Sequence, residues 1–134
     1  MEKTLEVTPC ELSRILPFLV QATRPKSDTS GGLATVQDVC KHAQSFVVTD
    51  EGHDVGGYVV EPLEFDRGVC LWVTMGAGQV DGLDLTATME KIVEVQARQI
   101  GASQIGMITK RRGLIKKLQA NGWAVAGIKM LKKL

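Results

Sequence analysis

The feature that most constrains the fold is the order of strand-like and helix-like segments. Three strand-like segments follow one another between residues 45 and 75, with turn residues at Asp50–Asp54. Short β-branched and aromatic runs separated by turn residues predict an antiparallel meander. A glycine-rich loop, an amphipathic helix ending at Gly101 and a strand over residues 104–109 follow, which predicts a strand–helix–strand crossover. The chain is therefore predicted to be a mixed α/β protein.

The segments on either side complete this order. Residues 2–7 predict a first strand, and Thr8, Pro9 and Glu11 have the spacing of a capped helix that begins at Thr8. Further elements are predicted as helices over 35–43 and 113–120 and a last strand over 123–130. The predicted order is β-α-α-β-β-β-α-β-α-β, in a single domain that spans residues 1–134.

Composition narrows the class of protein. A length of 134 residues suits one domain, and no apolar run approaches the ~20 residues of a membrane span. The first residues lack the basic and apolar pattern of a signal peptide. Cys10, Cys40 and Cys70 form no CxxC pair and no metal-ligand spacing, which favours a reducing compartment over disulfides or zinc. We therefore expect a cytoplasmic protein without a metal.

The net charge of +1 conceals a strong asymmetry. Residues 1–94 carry 7 basic and 15 acidic side chains, whereas residues 95–134 carry 9 basic side chains and no acidic one. Any interpretation of the function must account for this split. Because this basic part contains a single aromatic residue, Trp123, a base-stacking platform for nucleic acid is not expected.

Several segments carry a resemblance to a known family. They are the third and fourth strands, the end of the main helix and the turn before the last strand: Val55–Val60, Leu71–Val73, Ala97–Ala102 and Asn121–Trp123. Together with the element order, this pattern resembles the GNAT superfamily of acyl-CoA-dependent N-acyltransferases. The basic segment Lys110–Leu114 resembles the short GNAT-like proteins of tailed bacteriophages. The fold this implies is a largely antiparallel sheet splayed around a central strand–loop–helix unit.

The resemblance implies acetyl-CoA as cosubstrate and assigns residues to it. Strand residues Val73, Thr74 and Met75 would bind the pantetheine. The pyrophosphate would lie on the loop that matches the family's phosphate-binding motif, formed by Gln79, Val80, Asp81, Gly82, Leu83 and Asp84. Backbone amides at a helix N-terminus attract anions. Two carboxylates in this loop depart from the motif, and Asp84 also fits as the N-cap of the following helix.

The catalytic groups are less well defined by sequence. Many GNAT enzymes have a tyrosine as general acid four residues before the late glycine, and that position is Leu118 here. The one tyrosine, Tyr58, is a catalytic candidate or a residue of the core. Acyl transfer also requires a base, for which Glu61 and Glu64 are the candidates, although charged residues at a strand end are commonly only solvated.

The basic C-terminal region leaves three alternatives open. Arg111 and Arg112 would clamp the 3′-phosphate of CoA, or the face over residues 110–133 would bind an acidic protein, or it is simply solvated. Two functions therefore remain. One is an N-acyltransferase acting on a small-molecule or protein amine. The other is a non-catalytic GNAT-fold phage protein, in the virion or the host cytoplasm, that contacts host components. Either allows an oligomer.

Overall fold

The computed structural model describes residues 5–20, 24, 27–78 and 85–134. The elements in this part of the chain are, in order, β1 (Leu5–Cys10), α1 (Leu12–Leu19), α2 (Val36–Val39), β2 (Gln44–Asp50), β3 (His53–Phe65), β4 (Gly68–Gly78), α3 (Leu85–Gln99), β5 (Gln104–Met107) and α4 (Arg112–Ala120).

The strands described here form one sheet in sequence order, β1-β2-β3-β4-β5. The first four pair antiparallel, and β5 runs parallel to β4 after the crossover through α3. The predicted mixed α/β class, with its meander and crossover, is confirmed. The long β3–β4 hairpin forms the centre of the sheet and provides the floor of the site described below.

The first helix begins later than predicted. Thr8 and Pro9 do not start a helix but continue β1, where they pair with Val47 and Phe46. Glu11 is the N-cap of α1, and its side chain makes no capping hydrogen bond. Pairing with β2 outweighs the local capping pattern. Pro9 is tolerated in β1 because this strand lies at the edge of the sheet. Pro17 lies within α1, which ends two residues later.

Two hydrophobic clusters cover the two faces of the sheet. Neighbouring residues of one strand point to opposite faces, so Val47 and Val48 enter different clusters, as do Val59 and Val60. One cluster packs α1 and α2 against the sheet, and the other packs α3 through Val93. The sheet is therefore the middle layer between helices on both sides.

Gly57 permits the close approach of α1 to β3. A β-carbon at this position would lie 2.5 Å from Ile15 Cγ2 and 2.6 Å from Ile15 Cβ. Ile15 is fully buried, and its branched side chain has little rotamer freedom in a helix. The glycine therefore serves close packing between the two elements rather than a turn.

The predicted last strand over residues 123–130 does not form. No residue between 123 and 134 takes part in a strand, and the segment is largely exposed. A strand requires a partner edge as well as suitable side chains, and Ala124, Ala126 and Gly127 contribute little packing. The prediction was wrong because an apolar pattern alone does not provide the neighbouring strand with which a new strand would pair.

Three other boundaries differ from the sequence prediction. Helix α2 is a four-residue turn rather than a helix over 35–43, with Thr35 and Asp38 forming a capping box. Strand β4 extends to Gly78 through residues predicted as loop, because it keeps pairing with β3. Strand β5 ends at Met107 instead of residue 109. Among the helices that the structure describes, none has the length and apolar character needed to cross a membrane.

Candidate active site

The candidate site lies where β4 and β5 separate. These parallel strands pair from Cys70 opposite Gln104 to Val73 opposite Met107, and β5 then ends. Strand β4 continues along β3 to Gly78. Within the described residues, the end of β4 has no strand on its β5 side, and a cleft opens there. Crevices at the carboxyl ends of parallel strands are the usual ligand sites of open sheets.

A bulge in β4 marks the start of the cleft. Met75 pairs with Val59 and Val73 pairs with Val60, which leaves Thr74 without a partner residue on β3. The Thr74 hydroxyl is buried and has no hydrogen-bond partner among the described residues. An unsatisfied buried hydroxyl costs about 1–3 kcal/mol. Bulges and unsatisfied polar groups both recur at binding sites, where function takes precedence over stability.

The cleft has a volume of about 590 Å³, within the range of small-molecule sites. Its floor is the β4 stretch from Val73 to Gly78. The walls come from α3, from the end of β5 with α4, and from the loop before α2, chiefly through Met89, Val93, Met107, Thr109, Leu114, Ser30 and Thr35. The lining combines apolar side chains with a few polar groups, as ligand sites commonly do.

Tyr58 lines the cleft from β3, but its hydroxyl is engaged. The hydroxyl donates to Gln96 Oε1 of α3 at 3.0 Å, and the ring stacks on Phe46 with centroids 5.3 Å apart. Burial raises the pKa of Tyr58 to about 12, although the hydrogen bond to Gln96 opposes this. The phenol is therefore protonated at neutral pH, so it cannot act as a base.

Glu90 of α3 is a cleft residue that joins three parts of the chain. Its Oε1 accepts a hydrogen bond from Trp123 Nε1 at 2.7 Å, and its Oε2 accepts one from Asn121 Nδ2 at 3.2 Å. The Trp123 backbone N–H also donates to the Leu118 carbonyl. Both carboxylate oxygens of Glu90 are thus used to fix the end of α4 against α3, at the wall of the cleft.

The loop before α2 supplies a second carboxylate, Asp28. Its oxygens accept hydrogen bonds from the Ser30 backbone and hydroxyl and from the Gly32 backbone. These bonds, those from Ser30 first, hold the pKa of Asp28 below its usual value, and the charge of Lys110 acts in the same direction. The carboxylate therefore organises the loop and faces a cation from the end of β5.

The structure separates the two arginines predicted to bind CoA. Arg111 is the N-cap of α4 and lines the cleft, as does Lys117 one to two turns later. Arg112 is exposed and does not line the cleft. Of the two arginines, Arg111 is therefore the one placed to contact an anionic ligand. The role predicted for Arg112 stays a prediction.

The other predicted site residues divide into three groups. Val73, Thr74 and Met75 line the cleft, and their binding of the pantetheine stays a prediction. Glu61 and Glu64 lie further along β3, opposite Trp72 and Val69, and are not cleft residues, so their role as bases stays a prediction. The predicted phosphate loop, Gln79–Asp84, lies outside the described residues.

Structural comparison identifies the architecture. A ribosomal-protein-alanine N-acetyltransferase from Brucella melitensis biovar Abortus 2308 matches with a TM-score of 0.69 at 14% identity, covering 98% of this chain and 99% of that one. A GNAT family acetyltransferase from Elizabethkingia anophelis, solved with acetyl-CoA bound, matches with a TM-score of 0.69 at 16% identity, covering 92% and 78%. The chain has the GNAT fold.

A third protein shows the same architecture. Glucosamine-6-phosphate N-acetyltransferase from Arabidopsis thaliana matches with a TM-score of 0.67 at 15% identity, covering 97% of this chain and 98% of that one. No protein-family model and no curated protein matches the chain by sequence. The resemblance to GNAT proteins is therefore confirmed for the fold. Proteins at identities this low share a fold without sharing most of the residues of a site.

Within this GNAT fold, sequence reasoning missed Glu90, Trp123 and Asp28 as cleft residues. Glu90 and Trp123 are 33 positions apart, and neither has a local pattern that indicates the other. Asp28 belongs to a loop of Ser, Thr and Gly, in which a carboxylate is expected for turn formation alone. One signal was available for Trp123, since an amphipathic aromatic residue after a helix end commonly seeks a hydrogen-bond acceptor.

Proposed function

We propose that the protein is a GNAT-type N-acyltransferase that moves an acyl group, acetyl in the simplest case, from acyl-CoA to an amine. The observation that carries this proposal is the cleft at the end of β4, with its bulge at Thr74 and its free strand edge up to Gly78. The GNAT fold supports it, and the acetyl-CoA bound to the Elizabethkingia protein gives the ligand class.

The chemistry of the cleft fits an extended acyl-pantetheine chain. Backbone N–H and C=O groups on the free edge of β4 can pair with the amides of such a chain as they would with another strand. Thr74, at the bulge beside that edge, has a buried hydroxyl without a hydrogen-bond partner among the described residues. Arg111 and Lys117 add cations in the cleft, where the phosphates of CoA require a counter-charge. Acyl-CoA would supply an activated carbonyl at this position.

The reaction balances without a metal or a redox partner. The amine nitrogen attacks the thioester carbonyl carbon, a C–N bond forms and the C–S bond breaks. The amine loses one proton, and the departing thiolate of CoA gains one. In this scheme Tyr58 is not the base, because its pKa of about 12 keeps the phenol protonated. Positive groups such as Arg111 also favour the neutral, nucleophilic form of a bound amine.

The test is a calorimetric titration of acetyl-CoA against wild-type protein and two variants. We expect binding in the micromolar range, weakened about three- to tenfold by Arg111→Ala, because one phosphate-facing cation contributes on the order of 1 kcal/mol. The matched control is Arg67→Ala, at the exposed β3–β4 turn remote from the cleft, which should leave the affinity unchanged.

A second readout follows release of the CoA thiol in the presence of small amines. Thiol release that depends on an amine supports transfer. Absence of heat at millimolar acetyl-CoA would contradict the proposal. That outcome would favour the alternative, a non-catalytic GNAT-fold protein with a host-interaction or virion role, as the resemblance of Lys110–Leu114 to phage proteins suggests.

A further inference from the structure

The C-terminal segment, residues 124–134, is unusually exposed for its composition. Its large apolar side chains lie mostly in solvent: Ile128 is 85% exposed and Met130 87%, and Val125 and Leu131 are both 59% exposed. No hydrogen bond joins this segment to the rest of the described chain. Its backbone donors and acceptors are therefore available to a partner. Exposed apolar residues in a row commonly mark an interaction site.

The same segment is basic. Lys129, Lys132 and Lys133 all lie in it, and residues 95–134 contain no acidic side chain that could neutralise them. The described salt bridges lie elsewhere, between Arg14 and Asp54 and between Arg98 and Glu94. The segment thus presents cations, aliphatic side chains and a free backbone together.

The segment begins beside the cleft and later contacts a loop that borders the cleft. It begins after Trp123, which lines the cleft and is held by Glu90. Near its other end, Leu131 packs on the loop before α2: a β-carbon on Gly31 would lie 3.0 Å from Leu131 Cδ1. Ser30, next to that glycine, is a cleft residue. A molecule bound along residues 124–134 would therefore lie beside the entrance to the candidate active site.

The free backbone, the aliphatic side chains and the lysines of this segment together indicate the class of partner. An extended polypeptide can pair with a free backbone, and its side chains can meet the aliphatic residues between the lysines. Charge complementarity requires that polypeptide to be acidic. Nucleic acid would find no series of aromatic rings on which successive bases could stack, because Trp123 is the single aromatic residue of positions 95–134.

We propose that residues 124–134 dock an extended acidic polypeptide and that this polypeptide carries the acceptor amine. The docking stands independently of catalysis, whereas the acceptor role rests on the proposed N-acyltransferase function. The basic segment would hold the polypeptide by its carboxylates and apolar side chains, and an amino group on it would enter the cleft next to β4.

The docking is tested by fluorescence anisotropy with a labelled 14-residue peptide in which glutamate alternates with valine and serine, its amino terminus free. Two matched peptides replace every glutamate by glutamine or by lysine. We expect micromolar binding of the glutamate peptide alone, about tenfold weaker at 300 mM than at 50 mM salt, because exposed charges are screened. The triple variant Lys129→Gln, Lys132→Gln, Lys133→Gln should weaken binding at least about fivefold.

The control variant is Lys41→Gln with Lys91→Gln, two exposed lysines outside residues 95–134, which should bind the peptide as the wild type does. Equal binding of all three peptides, no binding of the glutamate peptide, or no effect of the triple variant would overturn the docking. A DNA duplex that binds more tightly than the peptide would also overturn it. So would sedimentation as a dimer whose assembly depends on residues 124–134, since the partner would then be a second copy.

The acceptor role has its own readout, mass-spectrometric detection of acetyl on the peptide amino terminus after incubation with acetyl-CoA. Acetylation of the glutamate peptide in preference to the glutamine peptide supports it. Binding of both acetyl-CoA and peptide without acetylation would overturn the acceptor role and leave both binding sites standing. Failure of acetyl-CoA to bind would refute the proposed function, and peptide docking would still be decided by anisotropy.

Discussion

Tyr58 shows how burial decides what one residue can do. The same phenol could be a catalytic acid or a core residue by sequence. In the structure it is fully buried, stacked on Phe46 and hydrogen-bonded to Gln96, yet it borders the cleft. Burial disfavours the phenolate, which is why the pKa is raised. The residue therefore supports the cleft floor and keeps its proton under neutral conditions.

This pKa predicts how stability depends on pH in the alkaline range. Below pH 10 the Tyr58 phenol is neutral in both the folded and the unfolded state, so its contribution to the free energy of unfolding is fully present. Above pH 10 the unfolded chain ionises while the folded chain does not, so the free energy of unfolding falls as pH rises towards the folded pKa of about 12.

Absorbance of phenolate at 295 nm measures this directly, because Tyr58 is the single tyrosine. We expect a midpoint near 12 in native protein and near 10 in urea, which serves as the control. Coincident midpoints in the two solvents would contradict the burial of this side chain.

At the scale of elements, the contact of α1 with β3 depends on Gly57. The helix lies on the sheet so closely that a β-carbon there would overlap Ile15, which cannot rotate away. Ile15 belongs to the buried cluster that joins α1 and α2 to the sheet, so this contact bears on stability.

Gly57→Ala should lower the free energy of unfolding by about 1–3 kcal/mol, the usual effect of overpacking a core. Urea denaturation measures it. The control is Gly113→Ala in α4, where a β-carbon would meet nothing within 4 Å and alanine should stabilise the helix by about 0.5–1 kcal/mol. Adding Ile15→Ala to Gly57→Ala should cost less than the two single effects combined. If the two changes in the free energy of unfolding were strictly additive, Ile15 would not be the residue that the added methyl group overlaps.

At the scale of the whole molecule, the fold separates into a packed body and an unpaired end. The sheet and its two helical layers contain the buried clusters, whereas residues 124–134 make no described hydrogen bond. The nine basic side chains of residues 95–134 are divided between these parts, with six before residue 124 and three in residues 124–134. The buried clusters that stabilise the fold thus lie outside residues 124–134.

Removing residues 124–134 should therefore leave the body folded. A stop after Trp123 keeps the indole hydrogen bond to Glu90 and deletes mostly exposed side chains. We expect cooperative urea unfolding and a change in the free energy of unfolding below about 1 kcal/mol, as for surface positions. Loss of cooperativity, or a decrease of several kcal/mol, would show that the segment is part of the core.

The sequence by itself was sufficient for the meander, for the crossover and for the order of elements as far as α4. Helix and strand periods are local, and a residue's neighbours at two, three or four positions reveal them. Val73, Thr74 and Met75, which the resemblance to GNAT proteins assigned to the pantetheine, line the cleft, and that assignment stays a prediction. Thr8 and Pro9 were assigned wrongly, because a good local capping pattern competed with a ladder to a strand almost 40 residues away.

The tertiary structure alone decided which distant groups meet. The bulge at Thr74, the hydrogen bond from Trp123 to Glu90 and the contact of Leu131 with Gly31 all join positions far apart in sequence. Residues 123–130 have the side chains of a strand, but a strand exists only where a second edge lies beside it. Pairing of edges and the shape of a cleft are properties of the packed chain, and no local pattern contains them.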